Sequence, residues 1–141
     1  IEEDRYIEYL PRKAKSLQIN YTISFPTSKA IGLQRFSFEL TEENFERISC
    51  ARTFCHIDDV KFMQENGLAL GGSLENAIVV DKDKILNDDG LRINKEFVKH
   101  KILDCIGDLA LIGQRLYGQI NVYKGGHNLH HKLTKLIRSS K

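Results

Sequence analysis

The chain has 141 residues, a formal net charge of +2, 41% hydrophobic residues and 28% charged ones. That length suits one domain, and the composition is that of a folded globular chain rather than a disordered one. The near-neutral balance excludes the strong positive field of a nucleic-acid binder, and no apolar run approaches the roughly 18 residues that a membrane-spanning helix needs. Cys50, Cys55 and Cys105 are three in number and form no CxxC, so reduced thiols in a cytoplasmic setting are expected. The opening Ile1-Glu2-Glu3-Asp4 is acidic and unlike a signal peptide, and a start without Met reads as a cut from a longer protein.

Leu17, Ile19, Tyr21, Ile23 and Phe25 alternate with polar residues, the period of a half-buried strand that Pro26 ends. Phe36, Phe38 and Leu40 predict a second strand paired with the first. Thr41 reads as an N-cap, with Glu42 and Glu43 in the first turn of a helix whose apolar side carries Phe45 and Ile48. Asp58 and Asp59 open a short helix through Val60 and Met63, stopped at Asn66-Gly67. Ala77 to Val80 is a strand, Ile85-Leu86 its return, and Asn87-Asp88-Asp89-Gly90 a turn. Lys95 to Gly113 is the longest predicted helix. Ile120 and Val122 mark a further strand, Gly125-Gly126 break it, and Leu129, Leu133, Leu136 and Ile137 mark a terminal amphipathic helix. The mixture predicts an α+β domain, a two-layer α/β sandwich with a small mixed sheet packed on helices.

The long helix carries unusual chemistry. With His100 at zero and about 100° per residue, Asp104, Phe97, Asp108 and Lys101 fall within about 100° of one another, beside a broad apolar face. His100 and Asp104 are an i, i+4 pair, able to reach one metal, and a mixed nitrogen and oxygen pair suits zinc. Asp108 lies eight residues beyond His100, a rise of about 12 Å, and is better placed to orient or charge a second group. Lys101 points beside the metal and suits a developing oxyanion. Two protein ligands fall short of the usual three plus water, so the third would be His127, His56, His130, His131 or a residue outside the chain. A solvated His–Asp pair is the plain alternative. Tyr123-Lys124-Gly125-Gly126-His127 follows a strand; Lys124 suits a phosphate and His127 acid–base work, or both are simply exposed on a turn.

Taken in order, Ala51-Arg52-Thr53-Phe54, Gly67 to Ser73, Ala77 to Val80, Leu86 to Arg92, the helix motif His100-Lys101-Ile102-Leu103-Asp104 with Gly107-Asp108, and Tyr123 to His127 resemble the C-terminal half of the UDP-3-O-acyl-N-acetylglucosamine deacetylase family. The resemblance covers essentially the whole chain. It implies a zinc amidase of lipid A biosynthesis, built of two similar α/β lobes with the active site between them, and this chain as the second lobe. It implies that His100 and Asp104 bind Zn2+, that Lys101 contacts the substrate near the reacting centre, and that Asp108 pairs with His127 as acid or electrostatic partner. Thr53 would hydrogen-bond the oxyanion, Phe54 contact the sugar, and Lys124 the diphosphate of the UDP-acyl-N-acetylglucosamine substrate. A β-α-β insert over about 57–83 would line the acyl passage with Val60, Leu68, Gly72 and Ser73.

The family's third zinc ligand, a His, and the Glu that serves as general base belong to the first lobe, and no HxxxH or Glu-His pair precedes Thr53 here. The chain alone is therefore expected to be inactive, with the N-terminal lobe as its partner. Cys55-His56 stands where the family commonly has Gly and an aromatic residue, and His56 reads as a passage or surface residue. The competing class is a non-catalytic nucleotide- or protein-binding lobe using Lys124, Lys132, Lys135, Arg138 and Lys141. Those on the terminal helix read better as its solvated face.

Overall fold

The computed structural model describes residues 3–67 and 75–140. Leu68, Gly72 and Ser73, expected to line the acyl passage, lie outside the described residues. The elements are β1 (Tyr6–Pro11), β2 (Leu17–Phe25), β3 (Gly32–Glu39), α1 (Glu42–Ile48), β4 (Thr53–His56), α2 (Ile57–Glu65), β5 (Ala77–Asp81), β6 (Lys84–Ile85), α3 (Glu96–Ala110), β7 (Gly118–Tyr123) and α4 (His127–Ser139).

The main sheet is mixed, in the order β1-β7-β2-β3. β2 runs antiparallel to β3, parallel to β7, and β7 antiparallel to β1. Alternation decides which face is buried. Leu17, Ile19, Tyr21 and Ile23 of β2 and Ile120 and Val122 of β7 turn inward. Their polar neighbours turn outward, where Asn20 donates to Asn121 at 2.9 Å across the parallel pair. The helices α3 and α4 cover the inward face, α3 across β2 and β3 and α4 against β1. Val98, Ile102, Cys105 and Leu109 of α3 and Leu133 of α4 complete the core. Sheet on one side and helices on the other make this the expected α+β layering.

A second, three-stranded sheet, β4-β5-β6, is smaller. β4 and β5 are parallel and flank α2 in sequence, a β-α-β unit. Asn87 holds its return: its Nδ2 donates to the Ala77 carbonyl at 3.0 Å and its Oδ1 accepts from the Val79 N–H at 2.9 Å. Thr41 caps α1, its Oγ1 accepting from the Asn44 N–H at 3.1 Å.

Some expectations change. β1 and β4 carry no alternation long enough to announce them. Phe97, placed on the polar stripe by spacing alone, is wholly buried, because the β4 strand packs Phe54 edge-on against it at 5.1 Å. Leu136 is 64% exposed, so the apolar side of α4 is narrower than the leucine spacing suggested. α3 ends at Ala110, and the Gly113 N–H bonds back to the Ala110 carbonyl in a tight final turn.

Candidate functional site

The start of α3 is fixed by a buried ion pair. Arg52 and Glu96 are 4% and 0% exposed. Glu96 Oε2 accepts from Arg52 Nε and from the Arg52 backbone N–H, both at 2.9 Å, and Oε1 from the Arg92 N–H at 2.7 Å. Arg52 Nη2 also donates to the Gly90 carbonyl at 2.8 Å. The segment before β4, the turn after β6 and the first turn of α3 are thereby joined at one point. Burial pushes the Glu96 carboxyl up, but Arg52 and the two backbone donors outweigh it and hold it below its ordinary range.

This arrangement places Ala51 against His100. Nδ1 of His100 lies 2.9 Å from the Ala51 carbonyl oxygen. A carbonyl only accepts, so Nδ1 carries the hydrogen, and Nε2 of the neutral ring presents a lone pair. Nε2 faces Asp104 Oδ1 at 3.3 Å. A lone pair and a carboxylate meet favourably only with a proton or a cation between them. A backbone carbonyl holding the far nitrogen is also how metal-binding histidines are usually oriented. Burial lowers the His100 pKa, but the Asp104 carboxylate and the Ala51 carbonyl raise it above the ordinary value overall. The Asp104 carboxyl is raised by burial and lowered further by His100, ending below its ordinary range.

One turn on, Asp108 collects three imidazoles. Its Oδ2 lies 2.7 Å from His127 Nδ1 and 2.9 Å from His130 Nδ1, and its Oδ1 3.1 Å from His131 Nε2. Burial raises the Asp108 carboxyl, but the histidines on it win and hold it low. His127, the first residue of α4, spans the two carboxylates: its Nε2 is 3.8 Å from Asp104 Oδ2. His130 is fully buried and its Nε2 meets the Tyr21 hydroxyl at 2.9 Å.

Ligand atoms of Asp108, His127 and His130 lie within 4.8 Å of one another, a possible metal-binding group. The hydrogen bonds already account for that group, since both Nδ1 atoms are committed to Asp108. At His100–Asp104, by contrast, the Nε2 lone pair faces a carboxylate oxygen at 3.3 Å, an arrangement able to share a cation.

The structure thus brings His100, Lys101, Asp104, Asp108 and His127 together along one edge of α3. Lys101 Nζ stands 6.0 Å from the centre of the Phe54 ring, at the limit of a cation–π contact. Phe54 is half-buried between Phe97 and Phe25. Thr53, exposed, precedes it at the start of β4. Lys124 pairs with Asp4 and, with Arg5, Phe25 and Lys101, lines a cleft of about 320 Å³. Val60 is half-buried on α2, and His56 lies 6.3 Å from the Phe25 ring. A larger cleft of about 590 Å³ between α1 and α3 contains none of these residues.

Sequence reasoning passed over Glu96 and Tyr21, and it weighed His130 and His131 only as third ligands. A signal for the Tyr21–His130 pair was present. His130 sits between Leu129 and Leu133 on the buried stripe of α4, and Tyr21 on the buried face of β2. A polar group on each of two facing apolar surfaces must find a partner, and here each finds the other.

A mixed sheet backed by helices, with imidazoles and carboxylates converging at its edge, offers donors for a metal and for proton transfer, and the proteins this chain is similar to are named deacetylases. A match to UDP-3-O-acyl N-acetylglycosamine deacetylase runs over residues 1–139. The chain belongs to this family. It is similar to the UDP-3-O-acyl-N-acetylglucosamine deacetylase of Campylobacter fetus, 47% identical over 96% of this chain and 46% of that protein. The protein of the same name from Campylobacter jejuni subsp. doylei is 48% identical over 98% of this chain and 46% of its own length. That from Campylobacter lari is 52% identical over 83% of this chain and 40% of its own length. The chain therefore spans a little under half the length of these relatives. Among the described residues, no helix is long and apolar enough to cross a membrane.

Proposed function

We propose that this chain is the C-terminal lobe of a cytoplasmic enzyme that hydrolyses the N-acetyl group of UDP-3-O-acyl-N-acetylglucosamine, releasing acetate in the committed step of lipid A biosynthesis. On this reading residues 1–141 are one domain, and the insert over about 57–83 lines the acyl passage, with Val60 of α2 as its described lining residue. The observation that carries the reading is the His100–Asp104 pair, its Nε2 lone pair turned to the carboxylate by the Ala51 carbonyl. These two residues would hold Zn2+ with a third ligand from the missing lobe, and the metal, when bound, supplies Lewis-acid polarisation of the acetyl carbonyl and an acidified water.

This chain's own residues supply charge stabilisation, the leaving-group proton and substrate contacts. Lys101 and the Thr53 hydroxyl donate to the oxygen on which negative charge develops. His127 acts in its doubly protonated form: Nδ1–H is given to Asp108, and the proton on Nε2 passes to the leaving amine, which leaves the neutral ring. Phe54 presents an apolar edge to the sugar. Lys124, and Arg5 beside the same cleft, supply cations for a diphosphate. The carboxylate base that takes the water's proton belongs to the N-terminal lobe, so this lobe alone is inactive.

The test is metal content and deacetylation of the UDP-sugar by this chain alone and by the full-length protein. Metal and turnover appear in the full-length protein and disappear in His100→Ala and Asp104→Ala. Turnover by the lone chain, or intact activity in His100→Ala, overturns the reading.

A further inference from the structure

We infer that Tyr21 and His130 are positioning residues for the reaction, a buried relay that fixes the Asp108 carboxylate so that His127 stands ready with Nε2 outward. This rests on the roles proposed above for Asp108 and His127.

The hydrogen positions follow from the partners. Asp108 is held ionised by its histidines and can only accept. His130 Nδ1, 2.9 Å from Asp108 Oδ2, therefore carries a hydrogen. Nε2 of the neutral ring can only accept, so the Tyr21 hydroxyl donates to it at 2.9 Å. Burial keeps the His130 ring neutral and the Tyr21 phenol protonated, in agreement with these roles. The direction is thus set along the relay, Tyr21 to His130 to Asp108.

The relay matters because its two ends differ in exposure. His130 is 0% and Tyr21 1% exposed, whereas the His127 side chain is 62% exposed. Asp108 Oδ2 is shared between the exposed His127 ring and the buried His130 ring. A carboxylate held only by an exposed histidine would rotate with it. Held by His130, it presents Oδ2 at one place, and His127 takes its tautomer and ring plane from that fixed point.

An independent observation supports the relay. A Cβ on Gly125 would lie 2.7 Å from the Tyr21 hydroxyl oxygen, 3.3 Å from Tyr21 Cζ and 2.3 Å from Val122 Cγ1. The glycine just before the α4 N-cap is therefore what lets the Tyr21 phenol pass under the turn and reach α4.

The experiment uses the full-length protein. Tyr21→Phe removes one oxygen; His130→Asn keeps a donor near the Nδ1 position and removes Nε2. In each, kcat falls about ten- to a hundredfold while KM and metal content hold. In the double variant kcat falls no further than in the more damaged single variant, because both residues act through the one relay. Ring 15N shifts show His130 as the Nδ1–H tautomer in the unaltered protein. Single variants that lower Tm and leave kcat unchanged, additive losses in the double variant, or an Nε2–H tautomer overturn the inference. Asp108→Asn runs alongside as a control: full activity there sinks the reading of the site itself, whereas a large loss there with unchanged kcat in Tyr21→Phe sinks only the relay.

Discussion

The carbonyl oxygen of Ala51 accepts the Nδ1–H of His100 at 2.9 Å, across 49 positions of sequence. It joins a proposed metal ligand to the segment that carries Thr53 and Phe54. The same segment is held by Arg52 to Glu96, four residues ahead of His100 on α3. The site is therefore braced from a buried ion pair rather than from its own exposed rim.

Removing one partner of that pair has a large cost. Arg52→Ala leaves the Glu96 carboxylate buried and unbalanced, and is expected to destabilise the protein by about 3–5 kcal/mol in urea unfolding. Because the Ala51 carbonyl moves with Arg52, metal affinity is expected to fall about 10–100-fold as well. A loss under about 1 kcal/mol would show that the pair is replaceable by solvent.

The pH dependence of stability follows from the direction of the Glu96 shift. Its folded pKa is below its unfolded value, so the unfolded chain takes up its proton first as pH falls. The contribution is present above about pH 4.3 and is lost as pH drops from there through the folded value. Glu96→Gln should flatten this acid limb in a series of thermal melts, at a lower stability at neutral pH.

The oxyanion role proposed for Thr53 sets the size of its expected effect. Thr53→Val keeps the shape of the β4 strand and deletes the hydroxyl, and kcat of the full-length protein for the proposed deacetylation is expected to fall about 10²–10³-fold with little change in Tm. Steady-state kinetics with the UDP-sugar substrate decide this, and a change confined to KM would place Thr53 in binding alone.

Gly125→Ala tests the packing beneath the turn. The new methyl would meet Val122 Cγ1 and the Tyr21 hydroxyl, both in the core, so overpacking is expected to cost about 1–3 kcal/mol. Gly126, whose Cβ would meet nothing within 4 Å, gives the contrast in the same denaturation experiment.

Much of this architecture is legible from single residues. The alternation of β2 is plain because one face is buried and the other carries Gln18, Asn20 and Thr22. Thr41 announces its cap by residue type and by the two glutamates after it. The spacing of His100, Lys101, Asp104 and Asp108 shows that they share an edge of α3, and that Asp108 stands a full turn away from Asp104. What the spacing lacks is everything contributed by other elements. Phe97 falls on the polar stripe of an isolated helix and is buried only because Phe54 lies over it. Glu96 looks like an ordinary acidic residue in a first helical turn until Arg52, 44 positions earlier, is seen beside it. β1 sits at the sheet edge with exposure alternating weakly, and β4 has four residues, too few to show a period.

The order β1-β7-β2-β3 has a consequence for how the chain is made. β7 lies between β1 and β2, yet Asn20 and Asn121, neighbours across the parallel pair, are separated by 101 positions. During synthesis α3 emerges in time to cover the β2–β3 hairpin, but β1 has no strand to pair with until residue 123 has left the ribosome. Only then does β7 close the sheet and carry α4, with His127 and His130, onto α3. Completion of the main sheet and arrival of the α4 histidines on Asp108 are thus one late event, set by long-range closure, and a nascent chain stopped short of β7 has neither.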